Sequence, residues 1–279
     1  MLGRPRTNGE KQLGDCPCFR PPVRRGQAEN GTVPLPKRML TDAAGLFVTG
    51  TDTGVGKTYV AALIVRALRA AGRRVGVYKP AASGCPRDEQ GRLVSPDAAV
   101  LWEAAGRPAD LEQVCPQRFA APLAPHLAAQ AEARRLDPLR LRTGLDYWRG
   151  RSDVIVVEGA GGLLSPLGER EYVADLARDL GFPLVVVSRN ILGTINATLQ
   201  TLTTAAVFRG GLMVAGVVLN HPAPPPPDDP SLRTNRRELA ARCSAPLLTE
   251  VAYGAERFDA DVDWFALARQ EHEDRLDSE

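Results

Sequence analysis

The chain has 279 residues, 44% of them apolar and 24% charged, with a formal net charge of +2. That apolar share is enough to bury a full core, and its short apolar runs fall well below the length of a membrane span. The charge is uneven: residues 1–40 hold eight Lys/Arg against three Asp/Glu, and the remainder holds 27 against 30, so no basic nucleic-acid surface is expected on the folded part.

Aromatics make up 5% of the chain, too few for a platform that stacks single-stranded bases. Five cysteines (Cys16, Cys18, Cys85, Cys115 and Cys243) form no CxxC pair. With no apolar leader of the secretory kind, that odd count points to reduced thiols in a cytoplasmic protein. There are only three histidines, His126, His221 and His272, so no zinc site is expected.

Residues 1–40 are rich in Gly, Pro and Arg and lack both apolar periodicities, so we expect a disordered, dispensable basic extension, with Met39 as a candidate start. From there a single α/β catalytic domain is expected over residues 41–279. A strand at 46–49 runs into a glycine-bounded loop, Gly50 to Thr58, and then a helix over 58–71 closed by Gly72. A second strand follows at 75–79. Ser95-Pro96-Asp97 combines an N-cap, a proline at the first helical position and an acidic first turn, predicting a helix to about residue 105. Asp137-Pro138 repeats that signal for a helix ending near 151. Residues 153–158 are the strongest strand in the chain. Strands at 184–188 and 212–219 flank a helix over 194–208. A proline-rich surface loop covers 223–230, and a helix at 231–242, a short strand at 247–251 and a last helix at 259–268 follow, before a tail that frays after 271. Strands alternating with helices predict a doubly wound, mostly parallel sheet with helices on both faces, its site at the C-terminal ends of the strands; with Gly-Lys-Thr closing the glycine-bounded loop after the first strand, the expected type is that of the P-loop NTPases.

The loop reads as the strand, G-x-x-x-x-G-K-T, helix arrangement that cradles phosphates. Glycines bring backbone N–H groups close to an anion, and the helix N-terminus adds partial positive charge. Gly54, Val55, Gly56, Lys57, Thr58 and Tyr59 form its ATP-binding end. Lys57 can bridge the β- and γ-phosphates, and the Thr58 hydroxyl can ligate Mg²⁺.

Base usage supplies a second clue. Beyond residue 40 there are two lysines, Lys57 and Lys79, against 25 arginines. A chain that places arginine wherever a surface charge suffices keeps lysine where a compact ammonium is needed, which singles out Lys79. Glu158, closing four apolar β-formers ahead of Gly159-Ala160-Gly161-Gly162, has the position of a Mg²⁺-holding carboxylate. Gly161 and Gly162 can bring N–H groups up to an anionic substrate. Asp97 alone is accounted for by the helix dipole. His126 reads as a capping or packing residue, and Trp102, Trp148 and Trp264 as packing residues.

The segments GTDTGVGKT, YKPAASG, Ser95-Pro96-Asp97-Ala98, APHLAA, VEGAGG, LGTIN and AGVVLN occur in that order over residues 45–250. Together they resemble the dethiobiotin synthetase family. The resemblance implies a cyclo-ligase that converts 7,8-diaminononanoate, CO₂ and MgATP to dethiobiotin, ADP and phosphate, through a carbamate and a carbamic–phosphoric anhydride. It implies Thr58, Asp97 and Glu158 as Mg²⁺ ligands and Lys79, Lys57 and Thr53 as catalytic groups. Thr53, Lys79, Ser83, Gly161, Gly162 and Asn196 would contact substrate, and Asn220 the adenine. It further implies a cytoplasmic homodimer in which the substrate carboxylate meets the helix start Leu192-Gly193-Thr194-Ile195-Asn196 across the interface. Gly54 occupies a position where some members carry an acid, a tyrosine expected near Asn235 is missing, and Val251-Ala252-Tyr253 departs from the adenine-side segment. The alternative is a partner-switching ATPase of the chromosome- or septum-positioning kind; a cobyrinate-type amidotransferase would need a glutaminase domain that has no room here.

Overall fold

The structure is a computed structural model that describes residues 43–226 and 228–270. The expectations for residues 1–40 and for the tail after 271 lie outside the described residues. The first half contains β1 (Ala44–Gly50), α1 (Lys57–Ala70), β2 (Val75–Tyr78), β3 (Ala81–Ala82), α2 (Pro96–Ala104), α3 (Leu111–Val114), β4 (Gln117–Arg118) and α4 (Pro125–Ala131). The second contains α5 (Pro138–Thr143), β5 (Val154–Gly162), α6 (Val173–Leu180), β6 (Leu184–Arg189), α7 (Thr194–Val207), β7 (Val214–Asn220), α8 (Pro230–Arg242), β8 (Leu247–Val251) and α9 (Trp264–Ala268).

Six strands form one sheet in the order β2-β5-β1-β6-β7-β8, every neighbouring pair parallel. Parallel neighbours need long crossovers, which is why strands and helices alternate along the sequence. Burial on both faces explains continuous apolar runs such as Val154-Ile155-Val156-Val157, all fully buried. Strand order reverses around β1: the chain leaves it toward β2 on one side and later returns to β6 on the other. The crevice at the C-terminal end of β1 is therefore the switch point, where ligands bind in such sheets.

Several boundaries differ from the sequence reading. The helix predicted from 138 to 151 stops at Thr143 and continues as a 3₁₀ turn over Gly144–Tyr147. There the Tyr78 hydroxyl donates toward the carbonyls of Arg140 (3.0 Å) and Leu141 (3.1 Å), where further α-helix would compete for them. The last helix begins at Trp264 rather than 259, because Asp263 is its N-cap and accepts from the Ala266 N–H at 2.9 Å. Trp148 and Trp264 are buried as expected, and the Trp102 indole N–H donates to the Ala109 carbonyl at 2.5 Å. Cys85, Cys115 and Cys243 are free thiols. No helix among the described residues is long and apolar enough to cross a membrane.

Candidate active site

The loop after β1 is one residue longer than the four-spacer pattern. Five residues separate Gly50 from Gly56, and Thr51 occupies the place of the first glycine. Gly50 remains within the strand, and Thr51 extends the ladder by donating its N–H to the Val187 carbonyl at 3.0 Å. Gly54 and Gly56 take positive φ values of 75° and 90°, conformations that favour glycine. The buried Lys57 ammonium turns back on its own loop and donates to the Asp52 carbonyl at 2.9 Å, while the Asp52 carboxylate accepts from the Thr53 N–H at 2.6 Å. Burial first, then the neighbouring Lys79, lowers the Lys57 pKa below that of an ordinary lysine.

Glu158 is not at a strand tip. β5 continues through Gly159, Ala160 and Gly161 to Gly162, which pairs with Gly50, so the carboxylate lies within the sheet's edge and is 1% exposed. Its Oε1 accepts from Lys79 Nζ at 2.5 Å and from the Thr58 hydroxyl at 2.8 Å. Lys79 Nζ also pairs with Asp97 Oδ2 at 3.0 Å and donates to the Gly159 carbonyl at 3.4 Å. Burial alone would lower the Lys79 pKa, but Glu158 and Asp97 hold it above the ordinary lysine value. Asp97 is pushed up by partial burial and pulled down further by Lys79, for a net lowering. Helix α2 delivers Asp97 from its first turn, with the Ser95 hydroxyl capping the Ala98 N–H at 3.2 Å.

Glu158 Oε2 is buried with no partner among the described residues. An orphaned carboxylate oxygen beside a Thr58 hydroxyl, with Asp97 across the same ammonium, is a hard-oxygen set suited to Mg²⁺, which fills the rest of its shell with phosphate and water. Among the described residues no group of three His/Cys/Asp/Glu side chains that could hold a metal is found.

Thr53 is exposed on the loop, and a Cβ placed on Gly161 would lie 3.7 Å from its hydroxyl. The Gly162 N–H, expected to face an anion, donates instead to Ser165 Oγ at 2.9 Å. Ser165 was not anticipated; the signal was a serine three residues beyond the glycine run. Ser83 is half-buried just after β3, the short strand that follows Lys79. Asn220 is fully buried, its amide donates to the Val55 carbonyl at 2.9 Å, and its Oδ1 has no partner among the described residues. The Tyr59 hydroxyl donates to the Ala255 carbonyl. Asn196 is exposed in the first turn of α7, the helix that follows β6, which β1 separates from the strand that carries Glu158. Asn235, near which the family resemblance implies a tyrosine, is buried and donates to Asn190 Oδ1 (2.8 Å) and the Ile191 carbonyl (3.0 Å).

The family described as an AAA domain matches residues 44–256. Three curated relatives are named ATP-dependent dethiobiotin synthetase BioD. That of Anaeromyxobacter dehalogenans (strain 2CP-C) is 51% identical over 70% of this chain and 84% of its own length. That of Rhodopirellula baltica is 42% identical over 74% and 82%, and that of Aromatoleum aromaticum 38% over 80% and 96%. Among solved structures, a ParA family ATPase from Chlorobium tepidum is similar at a TM-score of 0.46 and 16% identity, over 76% of this chain and 85% of that one. The relatives favour a small-molecule enzyme that uses ATP over a partner-switching ATPase. The chain belongs to the ATP-dependent dethiobiotin synthetase family.

Proposed function

We propose that this protein is the ligase that carboxylates 7,8-diaminononanoate with CO₂ and closes the ureido ring to give dethiobiotin, ADP and phosphate. The observation that carries the reading is the convergence of Lys79, Glu158, Asp97 and Thr58 beside the phosphate loop. One amine of the substrate adds to CO₂ and forms a carbamate. The carbamate oxygen takes the γ-phosphoryl group, and the second amine attacks the resulting anhydride and expels phosphate. This sequence needs alignment and charge neutralisation rather than a protein nucleophile. Lys79 exchanges part of its contact with Glu158 and Asp97 for the carbamate, and Lys57 leaves the Asp52 carbonyl for the β- and γ-phosphates. Thr53 and Ser83 flank the reacting groups, and Asn220 offers its unpartnered Oδ1 to the adenine amino group. Thr58, Asp97 and Glu158 would hold Mg²⁺, which when bound supplies charge neutralisation for the phosphates.

We place the protein in the cytoplasm as a homodimer that shares its substrate-tail site. Support for the dimer is α7, a 14-residue helix without a charged side chain, flanked by Leu192 (81% exposed) and ending at Val207 (71% exposed). Its exposed first turn carries Asn196 toward the substrate carboxylate. Analytical ultracentrifugation of wild type and Leu192→Glu tests this: a wild-type monomer refutes it.

The reaction is tested by ADP release with Mg²⁺, ATP and bicarbonate, with and without 7,8-diaminononanoate. Release that depends on the diamine, with a product one CO₂ heavier and one water lighter, is expected. Turnover indifferent to the diamine refutes the reading.

A further inference from the structure

We propose that Arg189 is a nucleotide contact, its guanidinium gripping the α-phosphate of ATP held in the loop from Gly50 to Thr58. The inference rests on ATP binding in that loop and not on the identity of the diamine.

β6 lies between β1, which leads into the phosphate loop, and β7, which ends at Asn220. Val187 pairs with Gly50 and Arg189 with Asn220. Paired residues on parallel strands project from the same face of the sheet, and alternate residues from opposite faces. Asn220 faces the phosphate loop: its amide reaches the Val55 carbonyl at 2.9 Å, and a Cβ on Gly56 would come 2.1 Å from its Nδ2. The residues on either side of Arg189 face the other way. Ser188 meets the Thr194 and Thr198 hydroxyls of α7 at 2.6 and 2.8 Å, and Asn190 receives Asn235 at 2.8 Å. Arg189 is thus assigned to the loop's face, between phosphate loop and Asn220. It is exposed, and its side chain makes no ion pair or hydrogen bond among the described residues.

Charge explains why a free guanidinium belongs there. The site's two lysines, Lys57 and Lys79, stand against three carboxylates, Asp52, Asp97 and Glu158. A tetra-anionic nucleotide, even with its divalent cation, leaves the mouth negative. The six strands end at Gly50, Tyr78, Gly162, Arg189, Asn220 and Val251, and Arg189 is the one charged residue in that set. Its position between the phosphate end and the Asn220 end matches the α-phosphate, and a planar fork suits two oxygens of one phosphate.

The test is displacement of a fluorescent ADP analogue by ADP and by AMP, with wild type, Arg189→Met and Arg189→Lys. We expect Arg189→Met to weaken both by about tenfold, a loss that shrinks as salt rises, and Arg189→Lys to recover part of it. The KM for the diamine and the Tm stay at wild-type values. ADP affinity within twofold of wild type overturns the proposal, as does a loss for ADP with AMP unaffected, which places the guanidinium elsewhere. Wild type that binds ADP without acting on the diamine would remove the ligase reading and leave Arg189 standing.

Discussion

Replacing Lys79 separates the structural role of its buried ammonium from the catalytic role proposed for it. Its three N–H groups meet three acceptors, Glu158 Oε1 at 2.5 Å, Asp97 Oδ2 at 3.0 Å and the Gly159 carbonyl at 3.4 Å, and the side chain is nearly inaccessible. Lys79→Met keeps the stem but removes the charge, leaving Glu158 buried with one hydroxyl donor from Thr58. Breaking a buried pair in this way costs about 3–5 kcal/mol, a large part of the roughly 5–15 kcal/mol by which a domain is stable. Asp97 contributes less to that loss, because its side chain is 47% exposed and regains water. Lys79→Arg keeps the charge, so its stability loss is limited to the overpacking of a larger group, about 1–3 kcal/mol. A planar fork cannot converge on three acceptors around one point, so turnover is expected to fall at least a hundredfold while ADP still binds. Denaturant unfolding in Mg²⁺-free buffer and diamine-dependent ADP release read the two effects separately. Near-normal turnover by Lys79→Arg would remove Lys79 from the chemistry. A Lys79→Met protein as stable as wild type would refute the buried ion pair.

Three further outcomes follow from the same geometry. Gly56→Ala combines a φ of 90° with a Cβ 2.1 Å from Asn220 Nδ2, so nucleotide titration should show affinity reduced more than about tenfold; Gly54→Ala, at a φ of 75° in open space, should bear backbone strain of about 1–2 kcal/mol alone. Trp148→Ala should lose about 3–5 kcal/mol in denaturant unfolding, because the indole is buried against Gly76 and donates to the Gln113 carbonyl at 3.2 Å. Burial raises the thiol pKa of Cys85 and Cys243 above the ordinary cysteine value and pushes Cys115 up to about 12, which disfavours the reactive thiolate at all three. Peptide mapping after iodoacetamide treatment of native protein should find half-buried Cys243 labelled before Cys85, and Cys115 unmodified until the protein unfolds.

The sheet strands were legible because a parallel strand buried on both faces reads as an unbroken apolar run. Helices were legible where the N-cap spoke plainly: Ser95 and Asp137 each accept from backbone N–H groups as expected. Helix α6 passed unnoticed although Val173, Leu176, Ala177 and Leu180 share its buried face and Gly181 closes it at a φ of 75°. Its N-cap is Tyr172, a residue type that carries no capping signal, with Asp175 accepting from the Tyr172 N–H at 3.0 Å. The two-residue strands β3 and β4 are too short for any periodicity. The site's lysines stood out through composition, but what holds Lys79 did not: Asp97 lies 18 residues away and Glu158 79 residues away in sequence. That arrangement is made by strand order, with β2 and β5 adjacent although residues 79–153 lie between them.

Reading Glu158 as a strand-ending acid missed why the glycines follow it. Gly162 pairs with Gly50, and a Cβ there would come 3.1 Å from the Gly50 carbonyl, so a side chain at 162 would force β5 and β1 apart. With the strands in contact to that depth, Glu158 lies four residues inside the edge, beneath the phosphate loop rather than at its rim. Burial there raises the energy of a charged carboxylate, and the protein offsets it with Lys79 and Thr58 on one oxygen while leaving the other unpartnered. A group held in this state gains more from an arriving cation than a solvated acid would, since no water shell must first be stripped from it. The glycine run thus acts through the sheet: it lets two strands close tightly enough to bury one carboxylate with one of its oxygens unpartnered among the described residues.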